Sequence, residues 1–161
     1  MSENSPSLTV EQRLREIGRE LPPVPSPAGS YVPAVRSGSL VFTAGQVPLV
    51  DGKPTHTGKV GDGVFLEEAQ QAAATCALNA LAAVESLGAG TLEKVRRVVK
   101  VTGFVASAPG FNQQPQVVNG ASDLLGEALG EAGVHARSAV GVAELPMDAP
   151  VEVEITVELG E

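Results

Sequence analysis

The chain has 161 residues, of which 43% are hydrophobic and 19% charged, so its composition provides the core of one domain and excludes a disordered protein. A net charge of −8 and an aromatic content of 3% disfavour nucleic acid, whose binding requires clustered basic and stacking aromatic side chains, and also anionic membrane surfaces. With no signal peptide and no apolar run of membrane-spanning length, the sequence is typical of one acidic cytoplasmic domain.

The N-terminal part of the chain predicts one helix and an irregular connector. Apolar residues recur every three or four positions after the capping residue Thr9: Val10, Leu14, Ile17 and Leu21. The consecutive prolines at 22 and 23 should end this helix, and the segment LPPVPSPAGS is too rich in proline for a regular element. We therefore predict a helix and connector over residues 1–28 and a main domain over residues 29–161.

The remaining periodicity predicts a mixed sheet with two main helices. The elements are strands at Tyr31–Val35 and Leu40–Thr43, a loop with a short hairpin at Asp51-Gly52, a helix at Phe65–Leu87, a strand at Val95–Val105, a helix that is regular after Pro115, and two final strands. The last strand alternates apolar and polar residues from Val151 onwards, so one of its faces should be buried. This order predicts an α+β, two-layer domain with both main helices on one face of the sheet.

Metal and nucleophile chemistry finds little support in the sequence. Cys76 lies on the apolar stripe of the first main helix, which favours an inert packed thiol over a nucleophile paired with His56 or His135. One cysteine and two histidines are also too few for a Cys- or His-rich metal centre. We therefore expect a protein without a metal or another cofactor.

Charged residues on the last two predicted strands are candidates for ligand binding. Arg137 enters an apolar strand with few polar neighbours in sequence, so it is either a carboxylate-binding arginine or a surface residue paired with a local glutamate. Glu152 and Glu154 lie on the polar face of the last strand, either in a cleft or in solvent. If the two strands form a simple hairpin, Arg137 faces residue 159 and lies roughly 20 Å from Glu152. Only another strand order or a subunit interface would then bring them into one site.

Four further residues admit both a functional and a structural interpretation. Tyr31, which follows a flexible Gly-Ser pair, is either a lid over a site or a residue at its rim. Gly45 follows a strand, where it either lets a ligand approach the backbone or forms an ordinary turn. Asn119 and Gly120 are poor helix formers within the second main helix, and they indicate either a site or a helix boundary.

Three segments of the chain resemble the RidA/YjgF family of reactive-intermediate deaminases. The stretch HARSAVGVAELPMDAPVEVEITVEL is similar to the family signature of Arg-Ser, an apolar strand, Leu-Pro and Val-Glu-Val-Glu. LVFTAGQVPL resembles the early strand end of the family, and FNQQPQVVNG resembles the start of its second helix. The resemblance covers residues 29–159.

The resemblance implies a chorismate-mutase-like subunit that forms a homotrimer with ligand clefts between subunits. It also implies cofactor-free hydrolysis of short-lived 2-imino and enamine acids to 2-keto acids and ammonia. Arg137 matches the carboxylate-binding arginine, and Glu152 matches the carboxylate that positions the attacking water. Gly45 matches a backbone contact, Tyr31 the tyrosine of the cleft, and Asn119 the asparagine of the helix.

The chain departs from the family pattern at three positions around the implied pocket. Ala44 stands where the family has serine, Ala139 where it has cysteine, and Ser30 where it has proline. These changes alter the wall of the pocket but retain the arginine and the glutamate. Two other functions stay open: a non-catalytic trimeric binder of small carboxylate metabolites, and a ribonuclease or translation inhibitor, which the acidic charge disfavours.

Overall fold

A computed structural model describes residues 7–161, which form a five-stranded sheet covered on one face by helices. The strands of this sheet are β1 (Ala34–Ser37), β2 (Leu40–Thr43), β7 (Val95–Ala106), β8 (Ala136–Val142) and β9 (Val151–Leu159), in the spatial order β1-β2-β9-β7-β8. All neighbours are antiparallel except β7 and β8, which are parallel. The helices are α1 (Val10–Glu16), α2 (Leu66–Glu85) and α3 (Gln114–Leu129), and this arrangement confirms the predicted α+β fold.

The first helix is shorter than the apolar spacing predicts. Thr9 and Gln12 form a capping box at its start, as expected from a threonine at this position. The helix ends at Glu16, well before the prolines, because Gly18 adopts a left-handed conformation with φ of 74°. Val10 and Leu14 are buried, so α1 packs on the domain as part of one core.

Two glycines allow the helical layer to approach its neighbours closely. A Cβ atom on Gly120 of α3 would lie 2.0 Å from the carbonyl oxygen of Gln70 on α2. A Cβ atom on Gly103 of β7 would lie 2.4 Å from the side chain of Val118. Gly120 therefore marks the crossing of two helices rather than a helix boundary, and the alanine-rich α2 completes this close layer.

The position of β7 overturns the hairpin on which the estimated distance between Arg137 and Glu152 depends. Strand β7 lies between β8 and β9, so Arg137 pairs with Val101 and not with Leu159. A 3-10 turn at Pro146–Asp148 lies in the connection between the two final strands, and two of its residues, Met147 and Asp148, have left-handed conformations. A strand order other than the hairpin is therefore present, which is one of the two arrangements that the sequence left open for bringing Arg137 closer to Glu152.

Short elements complete the fold between β2 and α2. The predicted hairpin at Asp51-Gly52 is present and joins β3 (Leu49–Val50) to β4 (Lys53–Pro54). Both turn residues have positive φ, of 52° and 77°, which is the geometry of a tight two-residue hairpin. Strands β5 (Lys59–Val60) and β6 (Gly63–Val64) then lead into α2.

Among residues 7–161 there is no helix with the length and apolar content that a membrane crossing requires.

Candidate functional site

Glu152 lies in a small cavity that we call the glutamate half-site, formed with Tyr31, Gly45 and Gln46. Glu152 alternates along β9 with Val151 and Val153, which are buried beneath the helices, so its side chain lies on the opposite face of the sheet. The backbone of Gln46 pairs with Val153 through two hydrogen bonds of 2.8 and 2.9 Å. This pairing fixes the preceding Ala44-Gly45 segment against the glutamate.

Gly45 approaches the Glu152 carboxyl group so closely that a side chain at position 45 would displace that carboxyl group. A Cβ atom at position 45 would lie 2.8 Å from both the carboxyl carbon and Oε2 of Glu152. The amide N–H of Gly45 has no hydrogen-bond acceptor among residues 7–161. Ala44, by contrast, uses its amide to bind the carbonyl of Pro33 and its carbonyl to accept from the Gln46 side chain. Ala44 is not among the residues that line the cavity, and its backbone hydrogen bonds hold the segment next to Gly45 in place.

The Glu152 carboxyl group holds its proton more tightly than an ordinary glutamate does. Burial raises the pKa of Glu152, because a partly buried carboxylate loses hydration. The negative charge of Glu154, two residues along the same face of β9, raises this pKa further. A glutamate whose pKa is closer to neutrality is a stronger base toward water once it is ionised.

The proline-rich connector forms one wall of the glutamate half-site, which the sequence did not predict. Residues 25–28 line the cavity of about 80 Å³ that contains Glu152. The amide of Ala28 donates a 3.2 Å hydrogen bond to the hydroxyl of Tyr31, whose side chain is half exposed. Part of the connector also lines an adjoining cavity of about 610 Å³ against β3 and α2. The proline-rich segment has neither helical nor strand spacing of apolar residues, so its position against Glu152 could not be predicted from the sequence.

Arg137 belongs to a separate cluster that we call the arginine half-site, formed with Pro115, Asn119 and Ser122 of α3. Its Nη1 donates to Asn119 Oδ1 at 2.8 Å and to Ser122 Oγ at 3.1 Å, and its Nη2 donates to the carbonyl of Pro115 at 3.1 Å. The polar neighbours that the strand sequence lacked are therefore supplied by α3. Ala139 lies two residues further along β8, on the same face, and packs against the core.

Arg137 retains hydrogen-bonding capacity for a ligand. A guanidinium group has five N–H donors, and α3 accepts from three of them. Among the described residues, its Nε–H and one N–H of Nη2 have no acceptor, and no carboxylate forms a salt bridge with it. Two donors on neighbouring nitrogens of one planar group match the two oxygens of a carboxylate.

The two half-sites lie on opposite faces of the sheet within one chain. Arg137 pairs with Val101, and Val101 pairs with Ile155, both of which are buried on the helix-covered face. Glu152 projects from the other face, three residues further along the sheet and two strands away. This offset separates the two Cα atoms by about 14 Å, less than the hairpin would give. Because the two side chains project from opposite faces of the sheet, one small molecule does not contact both within one chain.

Ser122 and His135 join the arginine half-site, although the sequence indicated His135 only as a possible partner of Cys76 and did not indicate Ser122. Ser122 follows Asn119 by three residues on α3, and His135 precedes Arg137 by two residues in the chain, so helix and strand spacing could have indicated both.

Cys76 is fully buried and its Sγ contacts the carbonyl of Val151 at 3.5 Å. Burial raises the pKa of Cys76 well above that of a free thiol, which agrees with an inert packed residue.

Comparison with known proteins identifies the family. The family model described as Endoribonuclease L-PSP matches residues 23–159. The chain belongs to the RidA/YjgF family. This RidA/YjgF chain is 44% identical over 151 residues to Protein TCP17 of Trypanosoma cruzi, which covers 93% of this chain and 94% of that protein.

Two further similarities span most of this RidA/YjgF chain. A 2-iminobutanoate/2-iminopropanoate deaminase of Dermatophagoides farinae is 38% identical over 133 residues, which cover 83% of this chain and 88% of that protein. A solved structure of a protein with unknown function from Agrobacterium tumefaciens is 48% identical, with a TM-score of 0.87 and coverage of 95% of this chain and 94% of that one. The family match begins within the connector, at residue 23, so the boundary at residue 28 remains a prediction.

Proposed function

We propose that this protein hydrolyses small 2-imino acids, and the enamines from which they form, to 2-keto acids and ammonia. The observation that carries the proposal is the pair of unused N–H donors on Arg137, a cation that has no carboxylate partner among the described residues. Such a fork fits the carboxylate of a 2-imino acid. The deaminase name of the Dermatophagoides farinae relative points to the same substrate class.

The reaction that we propose adds water across the carbon–nitrogen double bond. Arg137 binds the carboxylate, which fixes the imine carbon in place, and the ionised Glu152 accepts a proton from the attacking water. The resulting tetrahedral carbon carries a hydroxyl and an amino group. Proton transfer to the nitrogen releases ammonia and leaves the keto acid. The free amide of Gly45 lies beside the Glu152 carboxyl group, where it can donate to an oxygen of the substrate.

We propose that the complete site forms between two copies of the chain. Arg137 and Glu152 project from opposite faces within one chain, so a second copy has to supply the missing half. The sheet face opposite the helices leaves three large apolar side chains about half exposed: Val35 at 53%, Phe42 at 45% and Val140 at 44%. An apolar face of this kind favours self-association, and the family resemblance implies a trimer.

The oligomer is tested by light scattering coupled to size-exclusion chromatography at micromolar concentration. We expect the mass of three chains of 16.4 kDa. Phe42→Glu places a charge on the apolar face and should shift the protein toward monomer. Val50→Glu is the matched control, because Val50 is 53% exposed on the small hairpin, away from that face. A monomeric wild type would refute the shared site.

The activity is tested by measuring keto acid and ammonia from an imine generated in situ by an amino acid oxidase. We expect the wild-type protein to accelerate release and Arg137→Ala to abolish the acceleration. Arg96→Ala, which removes an exposed arginine of β7, is the control for the loss of one positive charge. If the wild type binds a keto acid but does not accelerate hydrolysis, the non-catalytic carboxylate binder is the better function.

A further inference from the structure

A chain of hydrogen bonds links Arg137 to His135 through Ser122. Arg137 Nη1 lies 3.1 Å from Ser122 Oγ, which lies 2.8 Å from His135 Nε2. On the other side of the imidazole ring, Nδ1 lies 2.6 Å from the carbonyl oxygen of Gly133. The three side chains come from α3 and from the N-terminal end of β8, and both Ser122 and His135 are partly buried.

The two ends of this chain fix the protons on Nδ1 of His135 and on Nη1 of Arg137, and a neutral imidazole fixes the proton between Ser122 and His135. The Gly133 carbonyl can only accept, so Nδ1 of His135 carries a proton. Arg137 can only donate, so Ser122 Oγ accepts from it and directs its own hydrogen elsewhere. Nε2 of a neutral imidazole is an acceptor at the required place. The neutral Nδ1–H tautomer of His135 therefore satisfies the whole chain with one hydrogen per contact.

We propose that Ser122 and His135 are positioning residues that hold the Arg137 guanidinium in the orientation that binds the substrate carboxylate. This inference rests on the proposed function. His135 receives the hydroxyl hydrogen of Ser122, which turns an oxygen lone pair toward Arg137. Ser122 Oγ and Asn119 Oδ1 together accept both hydrogens of Nη1, and the Nε–H and one N–H of Nη2 remain for the ligand.

The first test separates substrate binding from the rate of the chemical step. In Ser122→Ala, Nη1 loses one of its two acceptors, so we expect KM for the imine and Kd for pyruvate to rise about tenfold. The value of kcat should stay within about twofold of wild type, because Ser122 contacts no reacting atom. Alanine favours a helix, so a loss of folding is not expected. Ser86→Ala, at the end of α2, is the matched control.

Conservative variants of His135 distinguish positioning from simple packing. His135→Gln retains an acceptor for Ser122 and should keep the pyruvate Kd near the wild-type value. His135→Leu fills similar space without an acceptor and should weaken pyruvate binding as Ser122→Ala does. His56→Gln is the control for loss of a histidine. Equal affinities in the Gln and Leu variants, or an unchanged KM in Ser122→Ala, would overturn the proposal.

The tautomer of His135 provides a test that needs no activity. Nitrogen-15 NMR of the two imidazole rings, assigned with the His56→Gln variant, should show His135 protonated at Nδ1 and not at Nε2 near neutral pH. Protonation at Nε2 instead would refute the hydrogen-bond chain. A wild type that has the Nδ1–H tautomer but neither binds pyruvate nor hydrolyses the imine would refute the proposed function, and with it the substrate role of this pair.

Discussion

The glutamate half-site and the arginine half-site are built by different means. Arg137 is held by three hydrogen bonds that it donates to a single helix, α3, and its side chain lies along that helix. Glu152 is enclosed by a connector, a loop and a strand, with a glycine backbone against its carboxyl group. The arginine half-site is thus positioned by hydrogen bonds to two side chains and one carbonyl group of α3, whereas the glutamate half-site is shaped by a close backbone and by burial. Mutations in the two half-sites should therefore impair different properties, mainly the catalytic rate at Glu152 and mainly ligand affinity at Arg137.

The largest effect is expected at Glu152. Glu152→Gln removes the base that activates water, so kcat for the imine should fall by about 10²–10⁴-fold, while the Kd for pyruvate changes little. Glu154→Gln is the matched control on the same face of β9, and its kcat should stay near that of wild type. If Glu154→Gln is the inactive variant, the two glutamates have been assigned the wrong roles.

Arg137→Lys is expected to affect binding more than rate. Lysine retains the positive charge but loses the planar fork, so the Kd for pyruvate should rise about 10- to 100-fold. Isothermal titration calorimetry measures this change directly. A lysine variant with wild-type affinity would show that charge alone binds the carboxylate, and the difference between the two half-sites would then be much smaller.

Gly45→Ala tests the backbone contact in the glutamate half-site. The new methyl group would meet the Glu152 carboxyl group at 2.8 Å, so that flexible group has to move. We expect kcat to fall about tenfold, with the melting temperature within a few degrees of wild type. Gly38→Ala in the β1–β2 turn is a control for glycine loss, since its Cβ atom would meet no neighbour, although its positive φ adds backbone strain. A fully active Gly45→Ala protein would contradict the contact.

The smallest expected effect is a pH-dependent rise in the melting temperature of the Glu152→Gln variant. Since the pKa of Glu152 is raised in the folded protein, the folded chain binds more protons than the unfolded chain between the ordinary and the raised pKa. The free energy of unfolding therefore falls as pH rises through this interval. Glu152→Gln should melt slightly higher than wild type at neutral pH. The difference should vanish below the ordinary glutamate pKa of about 4.3. A lower melting temperature at neutral pH would contradict the burial of this charge.

Local patterns in the sequence predict the elements more reliably than their arrangement. The alternation in β9, the apolar stripe of α2 and the hairpin at Asp51-Gly52 all depend on neighbouring residues, and the structure contains each of them. The placement of β7 between the two final strands is a property of the whole sheet, and no local spacing encodes it. The assumed hairpin was wrong for this reason.

The same distinction applies to the candidate site. Arg137 and Glu152 were identified from residue type and family resemblance, and their roles stay predictions. The contacts of Arg137 with Asn119 and Ser122 depend on how α3 lies across β8, which periodicity alone does not define. The connector wall of the glutamate half-site has neither helical nor strand spacing, so only the folded chain places it.

The hydrogen bond between Tyr31 and the connector gives the protein a built-in optical reporter. The chain has one tyrosine and no tryptophan, so light absorbed in the tyrosine band excites a single side chain at the edge of the glutamate half-site. A ligand that displaces residues 25–28 would alter the surroundings of this phenol ring and hence its emission. Occupancy of the glutamate half-site could then be followed in the unlabelled wild-type protein, with a Tyr31→Phe variant as the dark reference.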